Sequence, residues 1–402
     1  MFSVNSLTSP LQGTRVLDLS TIVAGPAASM VLSDLGADVI KVERIGSGED
    51  GRNMGPYRGK WGAYFVVLNR GKRSIAVDIT KPQGRDLVLK LASRCDVFLE
   101  NFRGGKAAAL GLDEAAVRAH KPDIIYASLS AYGPRGPDYT KPGYDAVLQA
   151  RTGIMSVTGT GQDAPVRAGV SILDMGTGVW IALGVVAALL DRERSGKGQR
   201  VDGSLFQTGL ALMAYHLLYR QFAGVNPRPQ GSRHTAFSPY GAYPTRDGSI
   251  MIGISSDRAF HRLCSVLGKD EWINDARFLT NAERVQNAEL LAGLMTEVLR
   301  TQPTARWVQL FDQNDIANDP VNTPEQVLDD PQAAALAQFT EVALAGEEPA
   351  QVPRLPIEFS SYPPQPLGSP PAPGEHGRKI LEEAGYSQSE IEQLAACGAC
   401  AL

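Results

Sequence analysis

The sequence predicts an α/β fold, and two features of the chain support this. Short apolar runs alternate with helical segments through the first half, and the segments between them are long enough for right-handed crossovers in a mainly parallel sheet. A hairpin followed by amphipathic helices comes after residue 223. We therefore expect a large domain with a Rossmann-like sheet and a smaller α+β domain. The five apolar runs predicted as strands of the large domain are residues 15–19, 38–43, 74–78, 96–99 and 123–129.

Helical signals fill the gaps between these strands. Pro82 stands near the start of one such segment, where its missing N–H costs nothing. A long apolar helix follows Asp174 and ends before a Ser-Gly-Lys-Gly turn, and a short strand at 199–201 leads into a second long helix. The helices predicted for this half of the chain are residues 25–35, 82–92, 174–194 and 205–222.

The second half changes character at a loop rich in Gly, Pro and Arg over residues 224–234. Asp247-Gly248 lies between two apolar runs at 240–245 and 249–254, which is typical of a β-hairpin. Three helices follow, and a proline-rich stretch over 348–374 predicts an extended connector before a last helix. The predicted domains are 1–222, 223–330, and a connector with a C-terminal return to the large domain over 331–402.

Composition narrows the classes of function. The chain has 402 residues, 43% of them hydrophobic and 20% charged, with a net charge of −4. These values favour a globular protein and argue against a nucleic-acid partner or a membrane surface. The most apolar run, residues 175–190, is shorter than the ~20 residues that span a bilayer. No secretory signal pattern begins the sequence, so we expect a cytoplasmic protein.

Common cofactor motifs are missing from the sequence. The glycine pairs lack the spacing of a dinucleotide or phosphate loop, and the five histidines are scattered without metal-ligand spacing. Cys95 and Cys264 lie in apolar surroundings, whereas Cys397 and Cys400 form a C-x-x-C in what we predict to be a frayed C-terminus. We therefore expect no metal and no permanently bound cofactor.

Asp174 is the carboxylate of greatest interest. It follows a short apolar stretch and precedes a glycine-containing apolar helix, so a helix N-cap is its simplest role. The start of a helix also stabilises a negative charge by about 0.3–1 kcal/mol. Gly176 and Gly178 leave space in which a bulky ligand could approach Asp174. A structural role and a chemical role are compatible at this position.

A series of short motifs then occurs in one order along the chain. They are R-V-L-D-L-S and A-G-P-A, L-G-A-D-V-I-K-V-E-R, N-R-G-K-R-S-I-A-V-D, E-N-F-R-G-G, A-Y-G-P-R-G-P, P-G-Y-D-A-V-L-Q-A, D-M-G-T-G and G-E-H-G. In this order they resemble the class III CoA-transferase family, which includes formyl-CoA and carnitine-CoA transferases. The resemblance covers about residues 12–395 and implies an interlocked homodimer. It also implies acyl-CoA and a carboxylic acid as substrates, with coenzyme A as the group transferred.

The resemblance assigns roles to individual residues. It implies that Asp174 attacks the thioester, forming a mixed anhydride and then an aspartyl-CoA thioester, in which covalent catalysis divides one difficult step into easier ones. Tyr64 and Tyr132 match aromatic positions near the active site. The positions that the resemblance implies for CoA binding are Val23 and Ala24 near the pantetheine, Arg44, Lys72 and Arg73 near the phosphates, and Asn101, Phe102 and Arg103 near the adenine.

The chain departs from formyl-CoA transferases at a loop that is glycine-rich in those enzymes. The corresponding residues here are Gly231, Ser232, Arg233 and His234. A cation at this loop predicts a substrate with a second carboxylate, such as succinate or glutarate. If this loop does not select the acid, the alternative cations are Arg52, Arg58 and Arg167.

Two other functions stay open. α-Methylacyl-CoA racemases also resemble this chain, but they carry a histidine where Tyr144 stands in Gly143-Tyr144-Asp145. Tyrosine, with an ordinary pKa of about 10, is a poorer base near neutral pH than histidine at about 6.5. A non-catalytic CoA-binding protein is the other alternative, and Asp174 beside Gly176 and Gly178 argues against it.

Overall fold

A computed structural model describes residues 8–161 and 164–402, which pack as two units. The larger unit contains the described residues up to Gly153, with Ala168–Ala214 and Gln332–Leu402. The smaller unit contains Tyr215–Pro331 and the described part of 154–167. The sequence-based division placed residues 154–167 and 215–222 in the large domain, whereas residues 215–222 and the described part of 154–167 pack with the smaller unit.

The strands follow the alternation expected for the first half of the chain, and further strands occur in the second half. In chain order they are β1 (Arg15–Asp18), β2 (Asp38–Glu43), β3 (Tyr57–Arg58), β4 (Trp61–Gly62), β5 (Arg73–Val77), β6 (Val97–Glu100), β7 (Ile125–Ser130), β8 (Arg200–Ser204), β9 (Tyr240–Pro244), β10 (Ser249–Gly253), β11 (Ala317–Pro320), β12 (Phe339–Leu344), β13 (Glu347–Pro353) and β14 (Cys400–Ala401).

Helices separate most of the strands. They are α1 (Ala24–Asp34), α2 (Ala63–Asn69), α3 (Pro82–Ala92), α4 (Lys106–Ala109), α5 (Glu114–His120), α6 (Asp145–Arg151), α7 (Ile154–Val157), α8 (Ile172–Ser195), α9 (Leu205–Leu212), α10 (Ala214–Ala223), α11 (Asp257–Leu267), α12 (Asn281–Gln286), α13 (Ala288–Leu299), α14 (Thr304–Asp312), α15 (Pro324–Leu328), α16 (Pro331–Ala335), α17 (Gly377–Glu383) and α18 (Gln388–Ala396).

The larger unit is built on a seven-stranded sheet in the order β14-β5-β2-β1-β6-β7-β8. All neighbouring strands are parallel except β14 and β5. The central strands are buried on both faces, since Val16, Leu17, Val97 and Phe98 have no exposed surface. The predicted α/β class with a mainly parallel sheet is confirmed.

The strand order has a direct consequence for ligand binding. Without β14, the strands run 3-2-1-4-5-6 by their sequence rank within the sheet, which is the doubly wound dinucleotide-binding order. The chain reverses direction across the sheet between β1 and β6, which are direct neighbours. Open α/β sheets bind ligands in the crevice at the carboxyl ends of such a strand pair. The segments that follow Asp18 and Glu100 are therefore the place to look for a site.

The smaller unit contains the antiparallel sheet β11-β10-β9 and helices α11 to α14. Its core includes Ile250, Ile252, Phe260 and Met295, all buried. The predicted Asp-Gly turn is present, because the Thr245 amide donates to the Gly248 carbonyl over 3.0 Å.

Several elements differ from the sequence-based expectation. The long helix expected at 205–222 is two helices that meet at Met213, a residue that carries no breaking signal. The proline-rich connector contains the second strand of the β12–β13 hairpin. The C-terminus is also not frayed: Cys400 pairs with Val77 in the edge strand β14, and the Asp78 amide donates to the Ala399 carbonyl.

Helix α8 is, within the described part of the chain, long and apolar enough to cross a membrane by length and composition. It is longer than the apolar run at 175–190 because residues 172–174 precede that run and the polar segment 191–195 follows it. Core helices of globular proteins meet the same criterion, and α8 lies against α1 and β8 in the larger unit. The close approach of Gly178 to α1, described below, fits a core helix.

Candidate active site

A cavity of about 210 Å³ lies in the larger unit where the strand order reverses. Its walls come from the segments after β1, β6 and β7 and from the first turn of α8. The residues that line it are 21–24, 101–104, 129–131 and 141–144, with Tyr139, Asp174 and Leu205. The cavity therefore occupies the crevice that the topology of the sheet makes available.

The turn between β1 and α1 forms one wall. The side-chain amide of Asn101 accepts the Thr21 N–H over 2.9 Å and donates to the Thr21 carbonyl over 2.8 Å, so it ties this turn to the segment after β6. Helix α1 begins directly after Val23, which provides no side-chain cap. The positive end of a helix therefore lies at this wall and favours negative charge nearby.

Asp174 lies at the third position of α8, within the first turn of the helix rather than at the N-cap. The capping role belongs to Asp145 of α6, whose buried carboxylate accepts the N–H groups of Leu173 over 2.7 Å and Asp174 over 3.1 Å. Because Asp145 satisfies these amides, the Asp174 carboxylate is not needed for them. It makes no hydrogen bond or ion pair with the described residues and faces the cavity.

Burial raises the pKa of Asp174 to about 7, and the neighbouring negative charge of Asp145 acts in the same direction. A carboxylate with this pKa is more basic than an ordinary aspartate yet is substantially ionised near neutral pH. A strongly shifted group inside a cavity at a sheet crevice is a candidate reacting group.

The two glycines after Asp174 have different surroundings. A Cβ at Gly178 would lie 2.7 Å from the Ala27 Cβ and 3.0 Å from the Ala24 carbonyl oxygen, so this glycine lets α8 pack directly on α1. A Cβ at Gly176 would lie 3.2 Å from a methyl group of Thr208. The expectation that Gly178 makes room for a ligand is therefore wrong, because helix α1 fills that space.

Two cationic side chains line the cavity. Arg103 is exposed and makes no side-chain hydrogen bond or ion pair with the described residues. Lys141 lies 4.0 Å from Asp138, and its ammonium is 5.5 Å from the centroid of the Tyr132 ring. Such weakly held charges are available to an anionic ligand. Sequence reasoning named Arg103 but missed Lys141, whose Lys-Pro-Gly context carries no charge pattern.

Lys72 lies elsewhere, in the core of the larger unit. Its ammonium donates to Ser29 over 2.7 Å, to Asn69 over 2.9 Å and to Asp18 over 3.2 Å, and its side chain has no exposed surface. Burial lowers the pKa of Lys72 to about 8, while Lys41 and Lys72 hold the pKa of Asp18 well below its usual range against its own burial. The expectation that Lys72 contacts the CoA phosphates is therefore wrong, because a phosphate in solvent cannot reach this buried ammonium.

Arg44 and Arg73 also do not line the cavity. Arg44 forms an ion pair with Asp50 on the surface. Arg73 donates to Asp38 over 2.6 Å and to Glu383 over 3.0 Å, which ties β5 to β2 and to α17. Both arginines therefore have carboxylate partners in place of the predicted phosphates.

The aromatic residues are only partly where the sequence placed them. Phe102 lines the cavity and packs against the core, whereas Tyr64 and Tyr132 do not line it. Tyr139 and Tyr144 line it instead, and the Tyr139 hydroxyl accepts the Gly105 N–H over 2.9 Å. Their position could not be read from the sequence, because the loop that carries them has no periodicity.

The predicted substrate loop lies in the smaller unit. The Gly231 amide donates to the Gly159 carbonyl, and the Ser232 hydroxyl accepts the Ala242 N–H over 2.8 Å. These contacts hold the start of the loop against neighbouring segments of the same unit.

The two basic residues of this loop differ in freedom. Arg233 lies 3.5 Å from the exposed carboxylate of Glu289 and donates to the Gln230 carbonyl over 3.4 Å, whereas the ring of His234 lies tilted against the rings of Phe237 and Tyr240. Of the two, Arg233 has a carboxylate partner that is itself exposed to solvent.

Arg52 and Arg58, the alternative candidates for selecting the acid that lie in the larger unit, already have protein partners. Arg52 pairs with buried Glu43 over 2.6 Å, and Arg58 donates to the carbonyl of Pro349 over 2.6 Å.

Across residues 8–161 and 164–402, no group of three or more His, Cys, Asp or Glu side chains could hold a metal ion.

The fold and cavity are those of an α/β protein with a nucleotide-type binding crevice, and a carboxylate with a raised pKa faces that crevice. Residues 11–377 match the family model for CoA-transferase family III. The succinyl-CoA:glutarate CoA-transferase of Mus musculus is 36% identical and aligns over 97% of this chain and 90% of its own length. The succinate–glutarate CoA-transferase of Agrobacterium fabrum is 35% identical, and the alignment covers 93% of this chain and 95% of that protein.

A solved structure agrees with these sequences. A CAIB/BAIF family protein from Brucella suis superposes with a TM-score of 0.86 at 34% identity, covering 94% of this chain and all of that chain. The chain therefore belongs to CoA-transferase family III, and it is an enzyme that acts on CoA thioesters and carboxylic acids.

Proposed function

We propose that this enzyme moves CoA between an acyl-CoA and a free dicarboxylic acid, with Asp174 as the covalent nucleophile. The observation that carries the proposal is the unpaired Asp174 carboxylate, raised in pKa, facing a cavity at the switch point of the sheet. The names of the relatives from Mus musculus and Agrobacterium fabrum, which specify succinate and glutarate, support a diacid substrate.

The chemistry divides into reversible steps. The Asp174 carboxylate attacks the thioester carbonyl and the CoA thiolate leaves, which gives a mixed anhydride. The thiolate then attacks the aspartyl carbonyl, releasing the first acid and leaving CoA on Asp174 as a thioester. The acceptor carboxylate displaces CoA to form a second anhydride, and the thiolate attacks its acyl carbonyl to release the new acyl-CoA and restore Asp174. A carboxylate suits this sequence because both of its acylated forms stay reactive.

The other lining residues support binding. Val23 and Ala24 provide backbone at the start of α1, and Phe102 provides apolar surface. Arg103 and Lys141 supply the positive charge that the CoA phosphates require. No step needs a metal or a permanently bound cofactor.

We propose Arg233 as the residue that selects the far carboxylate of the acid, with His234 as its neighbour. Its ion pair with exposed Glu289 is of a kind that contributes only about 0–1 kcal/mol, so the guanidinium can exchange it for a substrate carboxylate. Arg233→Ala is expected to raise the KM for succinate more than the KM for butyrate. Glu289→Ala is the matched control, because it removes the resident partner and leaves the cation.

We also propose a homodimer, as the family resemblance implies. Large apolar side chains on α8 are exposed in the single chain, including Val179, Trp180, Leu183 and Leu190. A second copy is the occupant that would cover this face. Leu183→Lys is expected to shift the mass measured by light scattering from dimer towards monomer, whereas a wild-type monomer would contradict the proposal.

A cytoplasmic location is part of the proposal. The four cysteines are unpaired thiols, as expected in a reducing compartment. Cell fractionation with an antibody against the protein tests this, and recovery in a secreted or membrane fraction would contradict it.

The test of the function is thioester exchange. Wild-type enzyme with succinyl-CoA and a panel of free acids is expected to form new acyl-CoA while total thioester stays constant, also after dialysis against a chelator. Net hydrolysis as the main reaction would contradict transfer. Inversion of a 2-methylacyl-CoA without acid exchange would favour a racemase.

A further inference from the structure

Glu49 is a buried carboxylate outside the cavity whose hydrogen bonds reach into the cavity wall. It is 1% exposed and precedes the short 3-10 turn at Asp50–Asn53. One of its oxygens accepts the Ile22 N–H and the Gly51 N–H, both over 2.9 Å. Its other oxygen accepts the side-chain amide of Asn69 over 3.3 Å. The carboxylate thus connects the β1–α1 turn to the loop after β2.

Ile22 has an unusual backbone conformation. Its φ is +72°, in the left-handed region that a β-branched residue rarely adopts. Such a conformation persists only where the surroundings impose it. Here Glu49 holds the Ile22 amide, and Asn101 holds both polar backbone groups of Thr21. Ile22 directly precedes Val23 and the start of α1, and all of these residues line the cavity.

We propose that Glu49 is a positioning residue for acyl-CoA binding: it holds Ile22 in the left-handed conformation and so sets the backbone of residues 21–24 against the coenzyme. This inference rests on the proposed function, since it assigns that wall to CoA. Without the Glu49 carboxylate the turn relaxes and the wall moves. Asp174 lies on a separate helix and keeps its own cap from Asp145. Coenzyme binding therefore weakens, whereas turnover of bound substrate continues.

The first test is Glu49→Ala, which removes both oxygens that accept these hydrogen bonds. The Ile22 N–H, the Gly51 N–H and the side-chain amide of Asn69 then all lose their partner, and nothing at residue 49 holds Ile22. The Kd of CoA, measured by calorimetry, is expected to rise about 10-fold, as is the KM for acyl-CoA, with kcat within about 2-fold. The KM for the acid is expected to stay unchanged.

A rescue experiment separates positioning from a general loss of stability. Glycine adopts positive φ without strain, so Ile22→Gly should restore most of the CoA affinity lost by Glu49→Ala when compared with Ile22→Gly alone. Asp34→Asn is the matched control, because it weakens the buried ion pair with Arg70 in the same unit without touching the turn. It is expected to lower the melting temperature and leave the Kd of CoA unchanged.

A second variant covers the case in which Glu49→Ala does not fold. Ile22→Pro leaves Glu49 intact but fixes φ near −65° and removes the N–H, so it should also weaken CoA binding by about 10-fold or more. Wild-type affinity in either variant, or equal loss in Asp34→Asn, overturns the inference. A wild-type enzyme that binds CoA but exchanges no thioester would overturn the proposed function instead and leave this comparison of Kd values intact.

Discussion

Replacing Asp174 with asparagine is expected to stabilise the protein at pH 8 while it abolishes transfer. The pKa of Asp174 is raised from the ordinary value of 3.8 to about 7 in the folded protein. The native state therefore binds this proton more tightly than the unfolded chain does. Ionisation of Asp174 therefore lowers the free energy of unfolding of the wild-type protein as the pH rises from about 4 to about 7. An asparagine has no such dependence.

The magnitude follows from the size of the shift. About three units at 1.36 kcal/mol each set an upper bound of about 4 kcal/mol, and partial contact of Asp174 with solvent reduces this to about 2 kcal/mol. The variant loses the favourable effect of a negative charge in the first turn of α8, which is about 0.3–1 kcal/mol. A net gain of about 1–2 kcal/mol is left, or a rise in melting temperature of about 1–2 °C for a chain of 402 residues.

The assay is thermal unfolding of ligand-free wild type and Asp174→Asn at pH 4 and pH 8. The gain should be present at pH 8 and be largely lost at pH 4, where the wild-type carboxyl is protonated in the folded state and only about half ionised in the unfolded state. Asp191→Asn, at an exposed site near the other end of α8, is the matched control and should show no gain at either pH. An equal gain at both pH values, or none at pH 8, would refute the burial of an ionised carboxylate at Asp174.

Three further predictions concern the same unit. Asp145→Asn removes one of the two causes of the raised pKa of Asp174, so the acidic limb of the kcat/KM profile should move to lower pH. Gly178→Ala places a methyl group against α1 and should cost about 1–3 kcal/mol of stability, measured by thermal unfolding. Arg103→Gln with Lys141→Gln should raise the KM for acyl-CoA roughly 10-fold and reduce its dependence on salt.

Each of these three has its own contrary outcome. An acidic limb that does not move in Asp145→Asn would mean that the limb reports another group. Gly293→Ala, in a helix with open space around the new methyl, is the control for Gly178→Ala and should be neutral or stabilising by up to about 1 kcal/mol. Equal costs at both glycines would contradict tight packing of α8 on α1. An unchanged KM in the Arg103/Lys141 double variant would place the phosphates elsewhere.

The sequence predicted the parts of the site that depend on local patterns. Alternating apolar runs and helices indicated the parallel sheet, and the D-M-G-T-G segment indicated Asp174. The segments around Val23 and Asn101 were predicted separately, and the strand order brings both to the cavity that contains Asp174. What the sequence lacks is the pairing of side chains across the fold: the capping of α8 by Asp145 joins residues far apart along the chain.

The basic residues also show that the sequence does not reveal which side chains pair across the fold. Lys72 and Arg103 have similar motif contexts, yet Lys72 is enclosed by Asp18, Ser29 and Asn69 whereas Arg103 is exposed at the cavity. A charge in a motif does not reveal whether its partner is a buried carboxylate or a ligand. Only the packing of β1, β5 and α1 decides this.

The most direct test of the account is to trap the covalent intermediate. Enzyme incubated with succinyl-CoA and then treated with borohydride is digested, and its peptides are analysed by mass spectrometry. We predict that the side chain of Asp174 is reduced to the alcohol, that this reduction requires acyl-CoA, and that Asp174→Asn shows no reduced residue at position 174. Reduction of Asp145 or any other carboxylate in place of Asp174, or continued transfer with no reduction at Asp174, would contradict Asp174 as the nucleophile.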